Sequence, residues 1–223
     1  MQTSKNIIAI IQSRMTSKRF PGKMLTPFFD KPIFAHVVER IKASKIKMPI
    51  ILATSKDHTD DPLEMYAKFL GIDVVRGPLE DVMSRFILTL DRFKCDAFFR
   101  VCGDSPLLFP SLFDKAATKF TQDDYDLVTN TFPKTFPSGM SVELIKTKIF
   151  LKEEKKIRDI TNREHITKYF YEKYQEFKIY NIQCKESFSP NLSLALDEPM
   201  DLRRLEEWEK KRDKDYEDLF PID

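Results

Sequence analysis

Ile7-Ile8-Ala9-Ile10-Ile11 runs without interruption into Gln12-Ser13-Arg14-Met15-Thr16-Ser17-Lys18-Arg19-Phe20-Pro21-Gly22-Lys23. A short apolar run that opens onto a polar loop reads as a buried strand of an α/β sheet, with the loop at its carboxyl end. Open α/β sheets place their ligands at that edge. Arg14, Lys18, Arg19 and Lys23 crowd the loop around a Pro-Gly turn. Ser13, Thr16 and Ser17 add hydroxyl donors, Arg14 a planar fork and Lys23 a mobile point charge, a set suited to polyphosphate. The glycine and lysine spacing is not that of a Walker A loop. The plainer alternative is a basic surface loop turning at Pro21-Gly22.

Beyond this loop, strand-like runs alternate with segments of helical period, the signature of βαβ units. Strands are expected at 49–54, 73–75, 97–102, 126–130, 140–145, 177–182 and 192–196. Helices are expected at 32–41, 62–70, 79–93, 111–120, 148–156 and 161–173, with a long polar helix after Asp201 that runs through Lys210 and Lys211. Thr131 to Ser138 has two prolines and two phenylalanines but no period, and reads as an ordered loop over a site, with Phe132 and Phe136 shaping a pocket. Residues 1–223 are expected to form one domain, with 131–191 as a smaller subregion on the acceptor side.

Two further strand ends carry acids. Arg100-Val101-Cys102-Gly103-Asp104-Ser105-Pro106 stops at a glycine that permits close backbone approach and a carboxylate that faces the crevice. Leu194-Ala195-Leu196-Asp197-Glu198-Pro199 ends in the same way. A carboxylate beside phosphate oxygens needs a cation between them, and Mg2+ is commonly held by one or two carboxylates together with phosphates. Asp104 and Asp197 are therefore the candidate metal ligands. Each has a plainer role as cap of the next helix, and Asp201 is the expected acid of the first turn of the last helix.

The remaining residues exclude other chemistries. Among 223 residues, 37 bases face 35 acids for a net charge of +2, which gives no general basic surface for nucleic acid. The three cysteines have no paired spacing and lie in or beside apolar runs, as core residues of a reduced, cytoplasmic protein do. No apolar run has the length of a membrane span and none resembles a signal peptide. His36 reads as a packing or surface residue and His58 lies in a polar loop. His165 sits in Asn162-Arg163-Glu164-His165 at the front of a helix, where a basic end could meet an anion.

The first loop, together with Arg76-Gly77-Pro78-Leu79-Glu80-Asp81-Val82-Met83-Ser84-Arg85, Val101 to Pro106, Asn162 to Thr167 and Leu196 to Leu202, resembles the cytidylyltransferases that activate acidic sugars. The likeness is in particular to the SpsF-like spore-coat polysaccharide branch, related to the acylneuraminate and 3-deoxy-manno-octulosonate enzymes. The likeness runs over roughly the whole chain in motif order. It implies a Rossmann-like α/β nucleotidyltransferase fold with a mostly parallel sheet, CTP as co-substrate, Mg2+, an anionic small-molecule acceptor and a homodimer. It further implies that Arg14 and Lys23 contact the triphosphate with Ser13 nearby, that Ser84 lies toward the cytosine, and that Arg76 encloses the nucleotide. Arg163 and His165 fall on the acceptor side. Two departures also fall there: Ser141 stands where the branch commonly has an acid, and Ser193 where it often carries a base. A sugar-phosphate nucleotidyltransferase using another nucleotide and a non-catalytic nucleotide-binding module are the competing expectations.

Overall fold

The computed structural model describes residues 5–185, 188–189 and 192–210. Strand β1, Ile7–Gln12, lies in the interior of a seven-stranded sheet, third from one edge. A basic loop and a small hairpin, β2 (Pro27–Phe28) and β3 (Lys31–Pro32), lead into helix α1, Ile33–Ala43. Then follow β4 (Ile50–Ser55), α2 (Asp61–Phe69), β5 (Asp73–Gly77), α3 (Val82–Arg92), β6 (Ala97–Cys102) and α4 (Pro110–Gln122). The second half holds β7 (Leu127–Thr129), β8 (Glu143–Lys146), α5 (Thr147–Glu153), α6 (Ile160–Glu164), α7 (Lys168–Glu172), β9 (Ile179–Asn181) and α8 (Asp201–Lys210).

Strand order is β5-β4-β1-β6-β8-β7-β9. The pairs β5–β4, β4–β1, β1–β6 and β7–β9 are parallel, and β8 runs antiparallel to both its neighbours. From β1 the chain moves outward through β4 to β5, then returns to β6 on the other side of β1. The connections after β1 and β6 therefore leave in opposite directions and open a crevice at this switch point.

Alternation along β1 builds a core on each face. Ala9 and Ile11 pack with Phe34 and Val37 of α1 and Phe113 of α4. Ile8 and Ile10 pack with Met83 and Phe86 of α3, Phe150 of α5 and Phe170 of α7. With strands covered on both faces, alternation cannot be polar outward, which is why β1 reads as an unbroken apolar run.

Three expectations need correction. The helix expected over 161–173 is two short helices, because the chain turns at His165 (φ −106°, ψ 75°) to bury Ile166 beside Tyr169 and Phe170. The strand expected over 192–196 is an irregular segment with a single bridge, Ser138 to Ser193. Its alternating leucines are buried at Leu194 and Leu196 without a ladder. Phe136 is 4% exposed and belongs to the core, while Phe132 stacks on Tyr171 with ring centroids 5.0 Å apart. Residue Lys211, at the expected end of the last helix, lies outside the described residues, as do 186, 187, 190 and 191 of the 131–191 subregion.

Candidate active site

The connections after β1 and β6 wall a cleft of about 440 Å³, a volume suited to a small ligand. Ser13, Arg14, Lys23, Asp104 and His165 all line it. The end of β6 is held against β1 by Gly103, whose N–H donates to the Gln12 carbonyl at 3.1 Å. A Cβ at Gly103 would stand 2.6 Å from Ser13 Oγ, so the close approach there is to Ser13.

Lys23 is the hinge of the acidic side. It is only 6% exposed, and its ammonium donates to Asp104 at 2.7 Å and to the Leu196 carbonyl at 2.6 Å. Asp197 lies 3.6 Å from the same nitrogen and 2.8 Å from Arg19. The Leu196 N–H also donates to the Asp104 carbonyl at 2.9 Å, which ties the two acidic segments together. Neither carboxylate caps a helix as the plainer reading would have it, since Phe109 precedes α4 and the Asp201 carboxylate takes the Asp197 and Glu198 N–H groups.

Arg14 faces away from this pair. Its guanidinium makes long contacts to the Leu79 carbonyl (3.5 Å), Glu80 (3.6 Å) and Glu164 (3.8 Å) on the opposite wall. The loop's cations are thus divided between two walls, with Lys23 and Arg19 beside the acids and Arg14 beside α3. Hydroxyls of the loop are also divided. Ser13 Oγ and Thr16 Oγ1 are buried with no hydrogen-bond partner, whereas Ser17 Oγ accepts from the Phe20 N–H at 3.3 Å.

Asp197 is not itself among the residues lining the cleft and reaches it through its contacts with Lys23 and Arg19. Arg76, Ser84, Ser141 and Arg163 do not line it either. The reason is plain for three of these four. Arg76 spends its donors on the Ser55 and Asp57 carbonyls and on Asp61 and Glu64, all at 2.6–2.7 Å, locking β5 to α2. Arg163 donates to Asp81 at 2.7 Å and to Ser84 Oγ at 3.0 Å, while the Ser84 hydroxyl donates to Asp81 at 2.7 Å. This clasp joins α3 to α6 and leaves Glu164 and His165 at the cleft edge. Burial alone would raise the Asp81 carboxyl, but the bonds from Arg163 and Ser84 outweigh it and hold it below its ordinary range. Ser141 is half-buried beside Val142, whose N–H donates to Asn130 at 2.8 Å.

Three residues at the site have no site role in the sequence reading, although Arg85 and Cys102 fall within the quoted motif segments. Arg85 and Cys102 line the cleft. Burial pushes the Cys102 thiol up to about 11, so it stays protonated and is no nucleophile at neutral pH. Asp60 is fully buried behind the loop and accepts from the Met15 N–H at 2.7 Å, from Thr54 Oγ1 at 2.8 Å and from both donors of Ser55. It pins the cationic loop to the end of β4.

The donor set suits a divalent ion. Two carboxylates from separate segments already share one cationic partner, the number that Mg2+ commonly takes from protein when phosphates and water complete its shell. Among the described residues no cluster of three or more acidic, histidine or cysteine side chains forms a self-sufficient metal site.

A mostly parallel α/β sheet whose switch point gathers a cationic loop and a pair of acids defines a nucleotide-binding protein. Residues 8–219 match the family described as cytidylyltransferase, and the chain belongs to that family. It is 29% identical to the spore coat polysaccharide biosynthesis protein SpsF of Bacillus subtilis, over 86% of this chain and 81% of that protein. The 3-deoxy-manno-octulosonate cytidylyltransferase of Bdellovibrio bacteriovorus is 29% identical over 66% of this chain and 60% of that protein. A cytidylyltransferase of Leptospira borgpetersenii has the same fold, with a TM-score of 0.89 and 28% identity over 96% of this chain and 90% of that one. No helix among the described residues is long and apolar enough to cross a membrane.

Proposed function

We propose that this protein transfers CMP from CTP to an acidic sugar and releases pyrophosphate, with Mg2+ as its metal. The observation that carries the reading is the convergence on Lys23 of Asp104, which lines the cleft, and Asp197 beside it, with Arg14 on the cleft's other wall. The acidic sugar is supported by the related 3-deoxy-manno-octulosonate cytidylyltransferase.

In this reaction an acceptor oxygen attacks the α-phosphorus of CTP, and the bond from that phosphorus to the oxygen bridging to the β-phosphate breaks. A sugar hydroxyl gives up its proton to water or to a carboxylate of the site, while an ionised acceptor needs no base. Lys23 and Arg14 supply positive charge to the triphosphate and to the leaving pyrophosphate. Asp104 and Asp197 would hold the ion, which when bound would neutralise phosphate charge. Holding CTP and acceptor in one cleft removes much of the entropic cost of their encounter. His165 and the 131–191 segment form the acceptor side, supported by His165 on the cleft edge.

The test is incubation of the purified protein with CTP or UTP, Mg2+ and a panel of acidic sugars and sugar phosphates. Pyrophosphate release and product mass are the readouts. A CMP-linked acidic sugar is the expected product; a UMP-linked sugar phosphate would establish the competing enzyme, and Mg2+-dependent CTP binding without turnover a nucleotide-binding module. The mass in solution of the same preparation tests the expected homodimer.

A further inference from the structure

Arg85 sits on α3, one turn after Val82 and beside the buried Met83 and Phe86. Its side chain runs through the core to the cleft, which it lines although the residue is only 2% exposed. Room is made for its stem by Gly77 at the end of β5, where a Cβ would stand 2.8 Å from Arg85 Cγ. The guanidinium itself is not provided for. Nε and Nη1 are both buried without a hydrogen-bond partner.

Guanidinium is a donor only, and a buried one normally finds carbonyls or carboxylates. Arg76 and Arg163 in this chain do so with nearly every nitrogen. Arg85 has Asp60, Asp81 and Glu80 in its electrostatic surroundings but no ion pair with any of them, and Arg14 repels it. Burial first, and Arg14 second, push it down to about 10, which leaves it charged at neutral pH. A packing role would require only its methylenes. An unpaired charge facing a cleft from a buried position is instead the mark of a group whose partner arrives with a ligand.

We propose that Arg85 is a nucleotide-binding residue, its guanidinium donating to acceptor atoms of CTP bound in this cleft. The assignment rests on the cytidylyltransferase reading. Two parts of CTP share the required chemistry: the phosphate oxygens, and the O2 and N3 edge of cytosine, which offers acceptors only. Uracil keeps O2 but presents an N3–H donor on the same edge, so a contact that includes N3 also discriminates against UTP.

The test measures binding of CTP, UTP, cytidine and inorganic tripolyphosphate by calorimetry, together with the melting temperature of the ligand-free protein, for the unsubstituted protein, Arg85→Met and Arg85→Lys. The expected result for Arg85→Met is a Kd for CTP raised at least tenfold, about 1.4 kcal/mol, with a melting temperature equal to or above that of the unsubstituted protein. Removing an unpaired buried charge relieves the free protein. Arg85→Lys keeps the charge and recovers part of the affinity. An equal loss for tripolyphosphate assigns the contact to phosphate; loss for cytidine with tripolyphosphate unchanged assigns it to the base. CTP binding within twofold of the unsubstituted protein overturns the proposal. So does a melting temperature several degrees lower in both variants, which marks a structural strut. If the unsubstituted protein binds UTP but no CTP, the cytidylyltransferase reading fails and this assignment with it.

Discussion

Asp104 and Asp197 share the ammonium of Lys23, at 2.7 and 3.6 Å, although one follows a central strand and the other precedes the last described helix. In the free protein Lys23 neutralises a pair of acids that would otherwise repel. Lys23→Met should cost about 1–3 kcal/mol, between the ranges for exposed and for fully buried pairs, because both acids are partly exposed. Thermal unfolding checks it, and Mg2+ should raise the melting temperature of the variant more than that of the unsubstituted protein. Equal responses to Mg2+ would show that the acids do not need a shared cation.

The cationic loop is held from behind by Asp60 rather than by its own turn alone. Asp60→Ala leaves buried donors of Met15, Thr54 and Ser55 unmatched and should lower stability by roughly 2–4 kcal/mol. The milder Asp60→Asn should keep the fold and raise the KM for CTP. An unchanged KM would separate the loop's geometry from this carboxylate.

The clasp of Asp81, Ser84 and Arg163 predicts acid sensitivity. The Asp81 carboxyl is held below its ordinary value, so its ionised form contributes stability above pH about 4 and loses that contribution as pH falls through the depressed value. Arg163→Met should therefore lose less stability between pH 5 and pH 2 than the unsubstituted protein does. Urea unfolding at a series of pH values measures the difference, and parallel curves would assign the clasp no weight.

Cys102 lines the cleft but is predicted to be inert. With its thiol at about 11, alkylation by iodoacetamide should be slow at pH 7 and accelerate steadily toward pH 10. Cys102→Ala should retain turnover within a few-fold. Rapid labelling at neutral pH with loss of turnover would reopen a role for the thiol.

Much of this site was legible because strand ends in α/β proteins point to one edge. The rule singled out Asp104, Asp197 and the Lys23 loop as candidates without knowledge of the strand order and left their convergence open. It worked for Asp197 even though 192–196 is not a strand, since Leu194 and Leu196 bond to the Ser138 and Asp104 backbones and follow the same edge. What escaped was hidden by periodicity. Arg85 stands three residues after Val82 and four before Thr89, on the buried stripe of α3, and a lone base there reads as a solvated break in the pattern. Asp60 is masked by Asp57 and Asp61, which look like equivalent acids at a helix start. Arg76 and Arg163 show the converse, since their motifs are visible but their neighbours, Asp61, Glu64 and Asp81, take up their donors.

The most direct test of the account is the Mg2+ dependence of pyrophosphate release from CTP in the unsubstituted protein, Asp104→Asn, Asp197→Asn and the double variant. The prediction is a loss of about 100-fold or more in kcat for each single variant, a higher half-saturating Mg2+ concentration, and a double variant little worse than the weaker single one. Turnover and Mg2+ dependence that stay at the unsubstituted level in both single variants would contradict it.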